Sequence, residues 1–127
     1  MPDRILIADN YPNVAALVRH WLALPRREIE IAHNESETLR LAEEFRPQLI
    51  LMDIDIPAIN GIALAKKIRD QGWGKQMIIL ALTGWPPETA LAGNEAAFNG
   101  LLPRPIDYDH LAEFLTAFFP RDQAQTR

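Results

Sequence analysis

The stretch LILMDIDIPAING, residues 49–61, decides how the rest of the chain is interpreted. It opens with four apolar residues and reaches a carboxylate, Asp53, with a second acid, Asp55, two residues later. A continuous apolar run of this kind is typical of a strand that is buried on both faces of a sheet. Because a buried carboxylate is costly unless another group pairs with it, the partners of Asp53 are expected elsewhere in the chain.

Strand-like segments alternate with helical patterns along the whole chain. The predicted strands lie at residues 4–8, 28–32, 48–53, 77–82 and 101–103. Between them, apolar residues recur at helical spacing. Asn34 and Glu37 predict the capped start of one helix, and residues 88–98 predict a weak helix, since Gly93 and Asn94 disfavour it. This alternation predicts an α/β fold with parallel strands and helices on both faces.

The composition restricts the class of protein. The chain has 127 residues, of which 48% are hydrophobic, so it is long enough for one domain with a proper core. The absence of cysteine excludes disulfides, thiolate zinc sites and a cysteine nucleophile. No apolar run approaches the roughly 18 residues that span a bilayer, and a net charge of −4 argues against a basic nucleic-acid surface. We therefore expect a cytoplasmic protein that contacts neither membrane nor nucleic acid directly.

Polar side chains stand where four of the predicted strands end. Asp9 and Asn10 follow the first strand, Asp53 ends the third, Thr83 follows the fourth and Arg104 follows the fifth. Ligands of open α/β sheets bind beyond the carboxyl ends of the strands, so these side chains are expected to converge. Carboxylate and amide oxygens suit Mg²⁺, whereas a hydroxyl and a guanidinium suit phosphoryl oxygens. A carboxylate beside a metal can also attack phosphorus and form an aspartyl phosphate.

The chain resembles the receiver domains of bacterial two-component response regulators, including the single-domain chemotaxis regulator. The residues that carry the resemblance are ILIADN at 5–10, LILMDIDIPAING at 49–61, ILALTG at 79–84 and FNGLLPRPID at 98–107. The resemblance implies a receiver domain over residues 1–120 and a polar tail over 121–127. It also implies a flavodoxin-like three-layer sandwich, with five helices and a five-stranded parallel sheet in the order 2-1-3-4-5.

The resemblance also implies a function and its residues. Asp53 would accept a phosphoryl group from a histidine kinase or a histidine phosphotransfer protein, and Thr83 and Arg104 would contact that group. The metal ligands for Mg²⁺ would be Asp9, Asn10, Asp53 and Asp55. The chain would signal through a downstream protein partner and could form a homodimer through the face made by the fourth helix, fifth strand and fifth helix. The only catalysis implied is self-phosphotransfer and autodephosphorylation.

Three positions depart from the pattern of the family. Asn10 stands where a second acid is usual, which is expected to weaken Mg²⁺ binding. Arg104 replaces a lysine, and it can either clamp the phosphoryl group or pair with Asp53 and block it. Leu101 replaces an aromatic residue that swings inward on activation in many members.

Two further positions follow from the same comparison with the family. Pro105 is preceded by a peptide bond that is often cis in receivers. Trp85, two residues after Thr83, is expected to shield the phosphoryl group from attacking water.

Two alternatives remain open at the level of sequence. One is a degenerate receiver that acts as an interaction module without phosphorylation. The other is a phosphatase of the haloacid dehalogenase type, because ILMDID at 50–55 resembles the apolar-run-D-x-D nucleophile motif of those enzymes. That family also needs a later acidic pair and usually a longer chain with a cap.

Overall fold

The computed structural model describes residues 3–9, 11–55 and 60–119. Within them, five parallel strands form one sheet in the order β2-β1-β3-β4-β5, as expected. The strands are β1 (Asp3–Ala8), β2 (Arg27–Ala32), β3 (Leu49–Asp53), β4 (Ile78–Thr83) and β5 (Gly100–Pro103). The helices are α1 (Pro12–Leu22), α2 (Glu35–Phe45), α3 (Gly61–Asp70), α4 (Pro87–Ala90) and α5 (Tyr108–Phe118). The α/β fold class is therefore confirmed, with helices between successive strands.

Two apolar cores lie on opposite faces of the sheet, because successive residues of a strand point in opposite directions. On one face, Leu6, Ile50 and Ile79 pack with the buried residues of α2 and α3. On the other face, Ile7 and Leu51 pack with the buried residues of α1 and α5. The result is the predicted three-layer sandwich.

The burial of each strand agrees with its sequence pattern. Every residue of β3 is buried, and so is every residue of β4 except Ile78. Strand β2 lies at one edge of the sheet, where buried and exposed residues mix along it. At the start of α2, the Asn34 side chain accepts a hydrogen bond from the Glu37 N–H, while the Glu37 carboxylate accepts one from the His33 N–H. The Asn34 side chain thus caps the N-terminus of α2, so the predicted start of that helix is confirmed.

The expectation of one helix over residues 88–98 is wrong. Helix α4 is a single turn, and a separate 3₁₀ turn follows at Glu95–Ala97. The break between them falls at Ala92 and Gly93, which have φ values of 45° and 88°. A left-handed backbone cannot continue a right-handed helix, and glycine adopts it without steric cost.

None of the helices in the described part of the chain combines the length and the apolar character needed to span a membrane.

Candidate functional site

The parallel sheet carries four polar side chains to the same edge. Asp53 is the last residue of β3, where it lies in register with Leu82 of β4, and Thr83 is the last residue of β4. Arg104 follows β5, and its N–H donates to the Thr83 carbonyl at 2.8 Å. Asp9 follows β1, and its N–H donates to the Ala32 carbonyl of β2 at 3.0 Å. The backbone ladder thus extends past the strand ends and holds these residues at the carboxyl edge.

Arg104 bridges the two buried acids of this edge. Its Nη2 donates to Asp53 Oδ2 at 2.6 Å and to Asp9 Oδ2 at 2.8 Å. Both acids have no exposed surface, and the Arg104 side chain is 18% exposed. A guanidinium that pairs with two desolvated carboxylates supplies the positive charge that such acids require. Arg104 is therefore the charged partner that the sequence led us to expect for Asp53.

Backbone N–H groups satisfy the other oxygens of the two acids. Asp53 Oδ1 accepts from the Asp55 N–H at 2.9 Å, and Asp9 Oδ1 accepts from the Tyr11 N–H at 2.8 Å. The Tyr11 ring also lies beside Arg104, with its centroid 5.7 Å from the guanidinium carbon. Arg104 Nε is buried and has no hydrogen-bond partner among the described residues. Within that part of the chain, the guanidinium is held through Nη2 and by the ring of Tyr11.

Asp55 connects the site to the end of β4. Its carboxylate accepts from the Thr83 hydroxyl at 2.5 Å through Oδ1 and from the Gly84 N–H at 2.7 Å through Oδ2. The Trp85 N–H donates to Thr83 Oγ1 at 3.1 Å, so the Thr83 hydroxyl both donates and accepts. The Asp55 side chain is thus directed at the β4 end, whereas Asp9 and Asp53 share Arg104.

Burial raises the pKa of Asp53 above its ordinary value of 3.8, because the charged carboxylate loses its hydration. The Asp55 N–H and the Arg104 guanidinium act in the opposite direction, while the negative charges of Asp9 and Asp55 add to the rise. Since the folded chain binds this proton more tightly than the unfolded chain, an ionised Asp53 lowers the stability of the fold. That cost is fully present above the folded-state pKa and is lost as the pH falls from that pKa toward the ordinary value of 3.8.

The Asp53→Asn variant is therefore expected to unfold at a higher temperature than the wild type at pH 7. Asparagine has nearly the shape of a protonated aspartate, so it removes the buried charge and leaves the packing intact. Thermal unfolding of both proteins over a series of pH values would check this, with the difference shrinking as the pH falls below the folded-state pKa of Asp53 toward 3.8. A variant that is less stable than wild type at neutral pH would show that the Arg104 pair outweighs desolvation.

The remaining predicted residues occupy distinct places. Leu101 is half-buried and packs on the core formed with α2 and α3, and the Arg104–Pro105 peptide bond is cis. The Trp85 side chain is 62% exposed and lies beside Asp55 at the rim of a shallow surface pocket. Asn10, the predicted metal ligand, lies outside the described residues, and so does the tail at 121–127.

Gly61 of the opening motif has a packing role. A Cβ at this position would stand 3.0 Å from Ile54 Cα and closer still to the Ile54 side chain. The first residue of α3 therefore packs directly against the residue that separates Asp53 from Asp55. Glycine permits this close approach of two backbones.

Two contributors to the site are not predicted from the sequence. The Gly84 N–H is a donor to Asp55, and the Tyr11 ring lies against Arg104. The sequence indicates only a turn at Gly84, although its place directly after Thr83 makes its N–H a neighbour of any group bound there. For Tyr11, the available signal is that an aromatic residue directly follows Asp9 and Asn10, where it can contact a cation bound to those residues.

The oxygen donors of Asp9 and Asp53 fit Mg²⁺ in kind, since this ion takes one or two carboxylates and keeps several waters. Across residues 3–9, 11–55 and 60–119, however, no group of three or more His, Cys, Asp or Glu side chains is arranged to hold a metal. Arg104 also pairs with one oxygen of each acid. A divalent ion between the two acids would therefore have to displace or share the guanidinium.

The order of the strands locates the site within the fold. The sheet order changes direction between β1 and β3, and open α/β sheets bind their ligands at that point. Asp9 and Asp53 lie at the ends of these two strands. A flavodoxin-like sheet with paired acids at its switch point defines the class of receiver domains.

Comparison with known proteins agrees with that class. The family model described as the response regulator receiver domain matches residues 5–116, and the chain belongs to this family. It is 27% identical to Response regulator MprA of Mycobacterium tuberculosis, over 98% of this chain and 54% of MprA, so it spans about half the length of that relative.

Solved structures show the same likeness. The chemotaxis response regulator CheY4 of Vibrio cholerae has a TM-score of 0.84 and 27% identity, covering 94% of this chain and 100% of that chain. The response regulator protein TrrA of Thermotoga maritima, solved in complex with Mg²⁺-BeF, has a TM-score of 0.80 and 26% identity, covering 92% of this chain and 99% of that chain.

Proposed function

We propose that the chain is the phosphoacceptor module of a two-component phosphorelay, with Asp53 as the residue that is phosphorylated. The observation that carries the proposal is the convergence of Asp9, Asp53 and Arg104 in two ion pairs that share the guanidinium, at the switch point of the sheet. The pair brings a nucleophilic carboxylate next to a cation that can contact phosphoryl oxygens. Membership of the receiver family and the Mg²⁺-BeF complex of TrrA support the same function.

The proposed reaction is a phosphoryl transfer to one oxygen of Asp53. A lone pair of that oxygen attacks the phosphorus of a phosphohistidine on the donor protein. The phosphorus–nitrogen bond breaks, and its electron pair remains on the imidazole, so no other reactant is consumed. For this step Arg104 has to release Asp53 Oδ2, after which the guanidinium is free to pair with the phosphoryl oxygens.

A divalent ion would be held by Asp9 and Asp53, with Asn10 and Asp55 as further ligands. Mg²⁺ supplies positive charge that offsets the charge of the phosphoryl oxygens. We propose that its binding is weak, because Asn10 brings no charge and Arg104 competes for the same carboxylates.

The partners follow from the proposed chemistry. The donor is a histidine kinase or a histidine phosphotransfer protein in the cytoplasm of a bacterium, and the output is read by a second protein. We place the face for that protein, and for a homodimer, on α4, β5 and α5. The short α4 supports this choice, because a single exposed turn has little local stability and can shift at small cost.

A second function, that of an interaction module without phosphorylation, is favoured by one observation. Both carboxylate oxygens of Asp53 accept hydrogen bonds, and the acid has no exposed surface. In that function Arg104 would act as a permanent partner of Asp53, and the surface recognised by the partner would not change.

Incubation of the chain with acetyl phosphate and Mg²⁺, followed by intact-mass measurement, separates the two functions. The phosphoacceptor function predicts the gain of one phosphoryl group, which disappears when Mg²⁺ is removed with a chelator. An unchanged mass at high donor and metal concentrations would instead support the interaction module.

Trp85 is proposed to slow the loss of the phosphoryl group. Its side chain and Asp55 line the same surface pocket, and from there the indole could obstruct a water molecule that approaches Asp53. The Trp85→Ala variant is expected to lose its phosphoryl group several-fold faster than the wild type, as followed by intact mass after the donor is removed. Faster loss from the wild type would contradict the proposed role.

A further inference from the structure

The end of β4 presents two hydrogen-bond donors that together form a small site for an anion. The Thr83 hydroxyl and the Gly84 N–H each donate to a different oxygen of the Asp55 carboxylate, at 2.5 and 2.7 Å. Backbone and hydroxyl donors of this kind at a strand end suit the oxygens of carboxylates and phosphates alike. In this structure the occupant comes from the chain itself.

Asp55 is also tied to the proposed phosphoacceptor. Its own N–H donates to Asp53 Oδ1 at 2.9 Å, so one residue is bonded to Asp53 through its backbone and to β4 through its side chain. The residue that occupies the Thr83–Gly84 donors therefore lies only two positions after the proposed acceptor. A phosphoryl group added to Asp53 would form beside the residue that occupies these donors.

A phosphoryl group on Asp53 and the Asp55 carboxylate would both be negatively charged and would repel each other. The carboxylates of Asp9 and Asp55 both add negative charge around Asp53, and the Arg104 guanidinium pairs with Asp9 and Asp53. A phosphoryl group carries a charge of about −1.5 to −2 and three acceptor oxygens. It would repel the Asp55 carboxylate and would satisfy the same two donors with stronger acceptors.

We propose that the Asp55 carboxylate is a built-in latch: an internal anion that occupies the Thr83–Gly84 donors and that a phosphoryl group on Asp53 must displace. The latch rests on the proposed phosphoacceptor function for its role, but its existence does not depend on phosphorylation. Its release would free the Asp55 side chain from the end of β4 at the moment of phosphorylation. Asp55 is thus a positioning residue that couples the chemistry at Asp53 to the end of β4.

The first test measures the latch in the unphosphorylated protein. The Asp55→Asn variant keeps the shape of the side chain and loses its charge and one acceptor oxygen. Exchange of the Gly84 amide hydrogen, followed by NMR, is expected to be about tenfold faster in this variant than in the wild type, which corresponds to the loss of a charge-assisted hydrogen bond. Glu113→Gln, the same change of acid to amide at an exposed position of α5, should leave the exchange rate unchanged. Equal exchange in all three proteins would overturn the latch.

The second test measures competition with the phosphoryl group. With acetyl phosphate and Mg²⁺ at a concentration that saturates every variant, Asp55→Asn is expected to gain its phosphoryl group several-fold faster than the wild type or Glu113→Gln. An equal or slower rate in Asp55→Asn under these conditions would overturn the competition. If none of the proteins gains mass, the phosphoacceptor function fails, while the exchange of the Gly84 amide still decides whether the latch exists.

Discussion

The Asp53→Asn variant is expected to gain no mass with acetyl phosphate and Mg²⁺, whereas the wild type gains one phosphoryl group. The reason is chemical, because an amide is a far weaker nucleophile toward phosphorus than a carboxylate. The variant should remain folded, since the carbonyl of the introduced side-chain amide can still accept from the Asp55 N–H and Arg104 still has Asp9 as a partner. Intact mass under identical conditions measures the effect, which is expected to be complete.

Two controls locate the phosphoryl group. Asp55→Asn removes the other acid of the opening motif and should still become phosphorylated. Glu113→Gln should behave as the wild type. Phosphorylation of Asp53→Asn to the same extent as the wild type would place the acceptor elsewhere and contradict the proposed function.

Arg104→Met is expected to lower the free energy of unfolding by about 3 to 5 kcal/mol, the range for removing one partner of a buried ion pair. Methionine is apolar and similar in length, so the loss reports mainly on the two carboxylates that it leaves without their cation. Asp9 and Asp53 have no exposed surface, and neither can recover its hydration without a structural change. Urea unfolding monitored by circular dichroism gives the free energy.

Three comparisons sharpen this prediction. Arg104→Lys keeps the charge and should retain most of the stability. The double variant Arg104→Met with Asp53→Asn should recover part of the loss, because one buried charge is gone. Added Mg²⁺ should stabilise Arg104→Met more than the wild type, since the ion can then approach both acids without competition. A loss below about 1 kcal/mol in Arg104→Met would match an exposed pair and contradict the proposed role of Arg104.

The sequence predicts the fold well where a pattern reflects burial alone. The uninterrupted apolar runs of β3 and β4 indicate central strands, and both are almost fully buried. The prediction of a helix over residues 88–98 fails for a local reason. Leu91, Ala97 and Phe98 are buried, but the left-handed backbone at Ala92 and Gly93 divides the segment. The spacing of apolar residues predicts which residues are buried, but it does not predict a local change of backbone conformation at one or two residues.

The candidate site is predicted only in part, for a related physical reason. Strand ends are visible in the sequence, so the gathering of Asp9, Asp53 and Arg104 at one edge can be expected. Which cation pairs with which oxygen depends on side-chain rotamers that no periodicity records. The same limit explains Asp55, whose bonds to Thr83 and Gly84 are not predicted from the sequence. These bonds depend on the turn that follows β3.

Reduction of the acetyl-phosphate-treated protein with borohydride, followed by peptide sequencing by mass spectrometry, tests the central proposal most directly. Borohydride converts an aspartyl phosphate into homoserine and leaves an ordinary aspartate unchanged. A homoserine at position 53, formed only after exposure to the donor and Mg²⁺, is the predicted result. An unmodified Asp53, with either no homoserine in the chain or homoserine at another acid, would contradict the assignment of Asp53 as the phosphoacceptor.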